Sequence, residues 1–223
     1  MPILIPYLAA AGAHLLFCLF WPGGKGRAVT KGLLMPCLLL FALLGAARSG
    51  PSWLLCAAIL LGWAGDLLLL VPERKGFFLG GAAAFLGGHI CYAILLFRLL
   101  AEAPTPLWLL LTAAGSLLGV GGAAYLSLRK GLGGMKLPMM AYLISILIMA
   151  LGAVLLSAQA GLQGRFLPAH GWIAVGGGCF LLSDYLLARG LFLRKPALGD
   201  FWVMLTYISA QLLLVMGLVY LGA

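Results

Sequence analysis

Charge is scarce in this chain of 223 residues. Asp, Glu, Lys and Arg make up 9% of it, and only five of those residues are acids. Soluble domains carry about 25% charged residues, so a soluble globular enzyme, a disordered tail and a nucleic-acid-binding domain are all excluded. The five cysteines (Cys18, Cys37, Cys56, Cys91 and Cys179) form no C-x-x-C and all lie inside apolar runs. That pattern argues against a disulfide framework or a zinc site and for small core side chains. Three scattered histidines make a poor metal set, so no metal is expected. A basic segment ahead of the first apolar stretch is also missing, and an uncleaved span is expected there rather than a signal peptide.

What fills the chain instead is apolar. Hydrophobic residues make up 64%, and the mean hydropathy is +1.15. About 20 apolar residues are needed to cross the hydrocarbon core as a helix. Eight stretches qualify: Ile3–Phe20, Lys31–Ala47, Ser52–Val71, Gly76–Leu99, Pro106–Leu128, Lys136–Ser157, Ala169–Ala188 and Asp200–Leu221. Breakers separate them, among them Trp21-Pro22-Gly23-Gly24, Ser49-Gly50-Pro51, Val71-Pro72-Glu73, Pro104-Thr105-Pro106 and Lys195-Pro196. The loops are too short to hold another domain. The expected fold is an all-α membrane protein, one integral membrane domain over 1–223, with eight helices in one bundle.

The net charge of +9 follows the loops. Lys25, Arg27, Lys31, Arg74, Lys75, Arg129, Lys130, Lys136, Arg189, Arg194 and Lys195 fall at odd-numbered loops; only Arg48, Arg98 and Arg165 fall at even ones. The positive-inside rule puts the odd loops in the cytoplasm and both termini on the other side. The basic excess therefore reads as topology, not as a nucleic-acid surface. Small-residue stripes at Gly80/Ala84/Gly88 and Gly115/Gly119/Ala123 are expected to bring helices close together. Gly23-Gly24-Lys25-Gly26 lacks the spacing of a phosphate loop.

With acids so rare, two inside apolar runs stand out. Asp66 and Asp184 each sit about five residues before the cytoplasmic end of their span, roughly 7 Å below it. An ionised carboxylate at the bilayer centre costs at least about 2.5–3.5 kcal/mol, so such residues face the bundle interior or a wet cavity. The two could share a cavity as a functional pair, or each could accept a structural hydrogen bond. His89 belongs to a stripe of Phe78, Gly81, Phe85, His89 and Tyr92 on one helix face. It would lie about 18 Å from the cytoplasmic end, some 10 Å deeper than the aspartates. His14 has no supporting motif. Tyr207 and Gln211 are one turn apart on the last span. Lys31 and Lys136 open the second and sixth spans, as headgroup anchors or as phosphate ligands.

The halves echo each other. Asp66 and Asp184 are 118 residues apart, as are His89 and Tyr207, and Gly65-Asp66-Leu67-Leu68-Leu69 resembles Ser183-Asp184-Tyr185-Leu186-Leu187. Two parallel four-helix repeats would give this pattern, in an enzyme or a transporter alike.

Taken in order, Thr30-Lys31-Gly32-Leu33-Leu34-Met35-Pro36, Gly65-Asp66, the His89 stripe, Pro138-x-x-x-Tyr142 with Met149, Gly177-x-x-Phe180-x-x-Ser183-Asp184 and Tyr207-x-x-x-Gln211 resemble the YhhN family of lysoplasmalogenases. The resemblance runs from the second span to the last. Gly32 departs from it, standing where the family favours Pro. The resemblance implies an eight-helix membrane hydrolase without an organic cofactor. Its substrate would be a lysophospholipid, lysoplasmalogen, whose vinyl ether bond is cleaved to a fatty aldehyde and glycerophosphoethanolamine or glycerophosphocholine. In a bacterium the protein would reside in the cell (inner) membrane, among membrane lipids.

That chemistry suits two carboxyls. One aspartate, protonated, would protonate the alkene carbon; the other, ionised, would stabilise the oxocarbenium ion and orient water, a division of labour also found in glycosidases. Phe85, His89, Tyr92, Ser183, Tyr207 and Gln211 would orient the pair or the substrate, and Lys31 and Lys136 would face its phosphate. A proton-coupled transporter or lipid scramblase would also use intramembrane carboxylates. A non-catalytic assembly protein would leave them hydrogen-bonded without a cavity.

Overall fold

The computed structural model describes residues 2–45, 52–71 and 74–222. Arg48, Glu73 and the breakers at 46–51 and 72–73 lie outside them. Among the described residues eight helices follow one another: α1 (Ile5–Phe20), α2 (Lys25–Gly45), α3 (Trp53–Leu68), α4 (Lys75–Leu100), α5 (Leu107–Leu128), α6 (Lys136–Leu162), α7 (Pro168–Phe192) and α8 (Gly199–Leu221). Short 3-10 turns lead into α1 at Pro2–Leu4 and into α6 at Gly133–Met135. Seven helices, α1 taken with its leading turn, are long and apolar enough to cross a membrane. The eighth, α3, has 16 residues, or about 24 Å. The chain is an integral, multi-pass, all-α membrane protein.

Several expected boundaries move. α2 begins at Lys25, not Lys31, so Lys31 sits more than a turn inside the helix. α3 ends at Leu68 rather than Val71. Val71 precedes Pro72 in the sequence, a position that resists helical dihedrals. α6 and α7 run past their expected ends at Ser157 and Ala188, to Leu162 and Phe192. In α6 the polar residues at and just beyond the expected end find partners inside the bundle. Ser157 donates to the carbonyls of Ala153 and His170. Gln159 Nε2 donates to the Ala103 carbonyl at 2.7 Å and to Thr105 at 3.2 Å.

Two tight hairpins, α3–α4 and α7–α8, make the densest packing; α4 also lies on α6, and α8 reaches α1 and α2. α5 is peripheral, resting on α6 and touching α7. The ends that carry the odd-numbered loops gather on one face. Arg27 of α2 meets Asp200 of α8 at 3.1 Å, and the Phe78 ring of α4 stacks edge-on against Phe192 at the end of α7, centroids 6.0 Å apart. Gln159, Ala103 and Thr105 join even-loop ends in the same way. All five cysteines are free thiols; Cys18 is buried and the others are half-buried.

The two small-residue stripes have different fates. Gly80 and Gly88 face α3, where a Cβ on Gly88 would lie 3.3 Å from the Ala58 carbonyl oxygen. The Gly115/Gly119/Ala123 stripe, expected to pack, is exposed, and a Cβ on either glycine would meet nothing within 4 Å among the described residues. With α5 at the edge, its small face has no neighbouring helix among the described residues.

The α7–α8 contact depends on Gly176. A Cβ there would lie 2.9 Å from the Leu214 amide nitrogen and 3.2 Å from the Ala210 carbonyl oxygen, backbone atoms that cannot rotate away. Gly176→Ala is expected to destabilise the fold by about 1–3 kcal/mol, the usual cost of overpacking. Gly115→Ala is expected to be neutral or slightly stabilising, since alanine is the better helix former. Thermal unfolding in detergent compares the two; equal behaviour would mean that α7 and α8 are not held at this distance.

Candidate active site

Pro36 in the middle of α2 prepares the site. Proline has no amide hydrogen, so the Gly32 carbonyl four residues earlier loses its helical partner. The indole Nε1 of Trp63 on α3 donates to it at 2.9 Å. This bond ties α2 to α3 beside Lys31. The Lys31 ammonium lies 3.2 Å from Oδ1 of Asp66, both side chains being largely buried. Oδ2 of Asp66 accepts from the Tyr207 hydroxyl at 2.8 Å. Gln211 Nε2 reaches Tyr207 at 3.5 Å, and its Oε1 accepts from the Tyr92 hydroxyl at 2.7 Å. Lys31, Asp66, Tyr207, Gln211 and Tyr92 thus form one polar chain from α2 across α3 and α8 to α4.

Asp184 has different company. Its Oδ2 accepts from the Tyr142 hydroxyl at 2.6 Å and lies 3.5 Å from His89 Nε2. The latter distance is at the outer limit of a hydrogen bond, and neither His89 ring nitrogen makes an aligned bond among the described residues. The imidazole is fully buried, held edge-on by Phe180 (4.7 Å) and Tyr142 (5.3 Å). Phe180 also stacks edge-on to Tyr207 at 5.7 Å, and Phe85 to Tyr207 at 5.8 Å. The rings of Phe180 and Tyr207 therefore join the two carboxyl environments. Ser183 donates to the Val203 carbonyl at 3.1 Å and so binds α7 to α8 beside Asp184.

The expected depth difference between His89 and Asp184 is corrected here. α7 extends to Phe192, which sits level with Phe78 on α4. His89 is eleven residues beyond Phe78, and Asp184 is eight before Phe192. The offset is about 4.5 Å, which the two side chains span.

Two cavities meet at Asp184. A polar one of about 380 Å³ is lined by Lys31, Asp66, Tyr207, Ser183 and Asp184, with Arg27, Lys195 and Asp200 towards the odd-loop face. An apolar one of about 360 Å³ lies between α5, α6 and α7, with Leu143, Ile146, Gly178 and Leu181 in its walls. It also reaches Tyr142 and Asp184, and extends to Val120 and Leu182 on the exposed outer surface.

Of the residues singled out in the sequence, Lys31, Asp66, Phe85, His89, Tyr92, Ser183, Asp184, Tyr207 and Gln211 come together. Lys136 does not. It is exposed at the start of α6 and lines neither cavity. Lys31, expected at a helix end facing headgroups or phosphate, is instead committed to Asp66. His14 lies apart, bonded to Thr30 at 2.9 Å. Tyr142 and Phe180 appear in the sequence motifs, but their spacing does not reveal that they enclose His89. Arg27 and Lys195, counted as loop residues, and Asp200, taken as the start of the last span, stand at the mouth of the polar cavity. Nothing local marks them, because α2 and α8 are remote in sequence.

The model of the YhhN family matches residues 26–218. Proteins named lysoplasmalogenase from Mycobacterium bovis and Mycobacterium tuberculosis are each 28% identical over 169 residues, covering 74% of this chain. The chain spans 59% of the length of these curated relatives. No solved structure matches it.

Proposed function

The chain belongs to the YhhN family, and from that premise we propose that it hydrolyses the vinyl ether bond of lysoplasmalogens. One observation carries the reading: Asp184 borders both a polar and an apolar cavity. An amphiphile with a charged head, one reactive linkage and one long chain matches that sequence of environments. The head would occupy the polar cavity, the chain the apolar one, and the linkage the junction. The odd loops, and with them the polar mouth, would face the cytoplasm, with both termini on the opposite side, as the basic residues favour. A bacterial protein of this kind would reside in the inner membrane.

The two aspartates divide the work by their neighbours. Asp66 is paired with the Lys31 ammonium and acts as the carboxylate. Asp184 has a phenol and an imidazole beside it and no Lys or Arg partner among the described residues; it acts as the acid. Asp184 gives its proton to the alkene carbon next to the one bearing oxygen. The resulting oxocarbenium ion is stabilised by Asp66, which also takes a proton from the water that adds to it. The hemiacetal hydroxyl then returns a proton to Asp184. The carbon–oxygen bond to glycerol breaks as Asp66 hands its proton to the leaving oxygen. One water is consumed and both carboxyls are restored. Tyr142 and His89 hold Asp184 in place, and Tyr207 and Gln211 do the same for Asp66.

The test is aldehyde release from purified protein in deuterated water. One deuterium is expected on the carbon adjacent to the aldehyde, because the proton added there comes from exchangeable Asp184. Release of a fatty acid instead, or lipid translocation in proteoliposomes with no cleavage, would overturn the proposal. Chain binding is tested separately. A Cβ on Gly178 would meet nothing within 4 Å among the described residues, so Gly178→Phe fills the apolar cavity without clashing with the backbone. KM for long-chain substrate is expected to rise at least about tenfold, the worth of two buried methylenes at about 0.8 kcal/mol each, with short-chain substrate little affected. Equal effects on both would place the chain elsewhere.

A further inference from the structure

We propose that the mouth of the polar cavity is a binding site for a zwitterionic phosphodiester headgroup, with Arg27 and Lys195 taking the phosphate and Asp200 the ammonium. The inference rests on the lysophospholipid reading above and specifies the headgroup. Two cations converge on one carboxylate oxygen: Arg27 Nη1 lies 3.1 Å and Lys195 Nζ 2.8 Å from Asp200 Oδ2. The cluster therefore carries a net positive charge, while the Lys31–Asp66 pair deeper in the same cavity is balanced. All five charged groups line that cavity. Arg27 is also anchored without Asp200, because Nη1 donates to the Pro22 carbonyl at 3.1 Å. An arriving phosphate can replace Asp200 as the partner of both cations, since guanidinium and ammonium groups bind phosphate and carboxylate by the same charge-assisted hydrogen bonds. The released carboxylate is then an acceptor for an amine two carbons from that phosphate. An amine-free headgroup gains the first contact and leaves Asp200 without a cation. The mouth thus favours ethanolamine and choline heads over a bare phosphomonoester.

The experiment measures KM and kcat for aldehyde release, and the binding of uncleavable 1-O-alkyl analogues, with ethanolamine, choline and amine-free phosphate heads. The double variant Arg27→Gln/Lys195→Gln is expected to weaken binding and raise KM for every head by about tenfold or more, with kcat retained. Asp200→Asn is expected to weaken the ethanolamine and choline ligands and to leave the amine-free ligand as tight or tighter. Arg27→Lys with intact Lys195 should restore most of the affinity. Unchanged binding in the double variant, or a loss in Asp200→Asn that is the same for all three heads, would overturn the inference. So would equal competition by inorganic phosphate and by glycerophosphoethanolamine, which would indicate a general phosphate site. The uncleavable analogues keep the two readings apart. Headgroup discrimination without aldehyde release overturns the hydrolase and keeps the mouth; release without discrimination overturns the mouth alone.

Discussion

Asp184→Asn is expected to cut kcat for aldehyde release by about 10²–10⁴-fold, the usual range for loss of a general acid, with little change in thermal unfolding. The asparagine amide oxygen can still accept the Tyr142 hydroxyl, which lies 2.6 Å from Oδ2 in the native protein. The change therefore removes a proton and keeps a contact. No ammonium or guanidinium loses a partner, because Asp184 pairs with none among the described residues. The contrast with Asp66→Asn is the informative part. That substitution is also expected to abolish most activity, but it leaves the Lys31 ammonium buried without its counter-charge and so lowers stability too. Activity near wild type in Asp184→Asn would remove this residue from the acid role. Equal loss of stability in both variants would remove the distinction between them.

Lys31→Met is expected to have the largest effect on stability. Both partners of the Lys31–Asp66 pair are largely buried, their side chains 12% and 2% exposed. Removing one member of a buried pair strands the other, at a cost of about 3–5 kcal/mol. The double variant Lys31→Met/Asp66→Asn should recover much of that loss, since two neutral groups replace the pair, yet it should remain inactive. Unfolding in detergent read beside the aldehyde assay separates the two consequences. A double variant no more stable than Lys31→Met would mean that the cost of losing the lysine does not come from a stranded Asp66 carboxylate.

Much of this fold was legible from apolar length and loop parity. The eight helices appear in order, and the odd-loop ends gather on one face as alternation demands. Boundaries were less legible where polar residues at a span edge find buried partners, as Ser157 and Gln159 do in α6. The Gly115/Gly119 stripe shows another limit: small residues permit close approach but do not say whether a helix is there to approach. At the site, the scarcity of acids singled out Asp66 and Asp184, and helical spacing grouped His89 with Tyr92 and Tyr207 with Gln211. Which side chain serves which aspartate was not legible. Lys31 looked like a helix opener because six residues of α2 precede it in polar, glycine-containing sequence. Its true partner lies on the next helix, and only the register between α2 and α3 selects Lys31 over Lys136 for burial.

The way the halves share partners also bears on how the chain is made. Each aspartate has one partner from its own half, Lys31 for Asp66 and Tyr142 for Asp184, and one from the other, Tyr207 and His89 respectively. Synthesis delivers α1–α4 to the bilayer before α5–α8 exist. At that stage Asp66 would be an expensive guest in lipid, but its ammonium partner is already present one helix away. The first half can therefore wait in the membrane with its buried carboxylate already paired. The Tyr207–Asp66 bond and the approach of His89 to Asp184 cross between the halves and can form only when the second half docks. The Lys31–Asp66 pair is thus complete within the first half, and its formation asks nothing of the second.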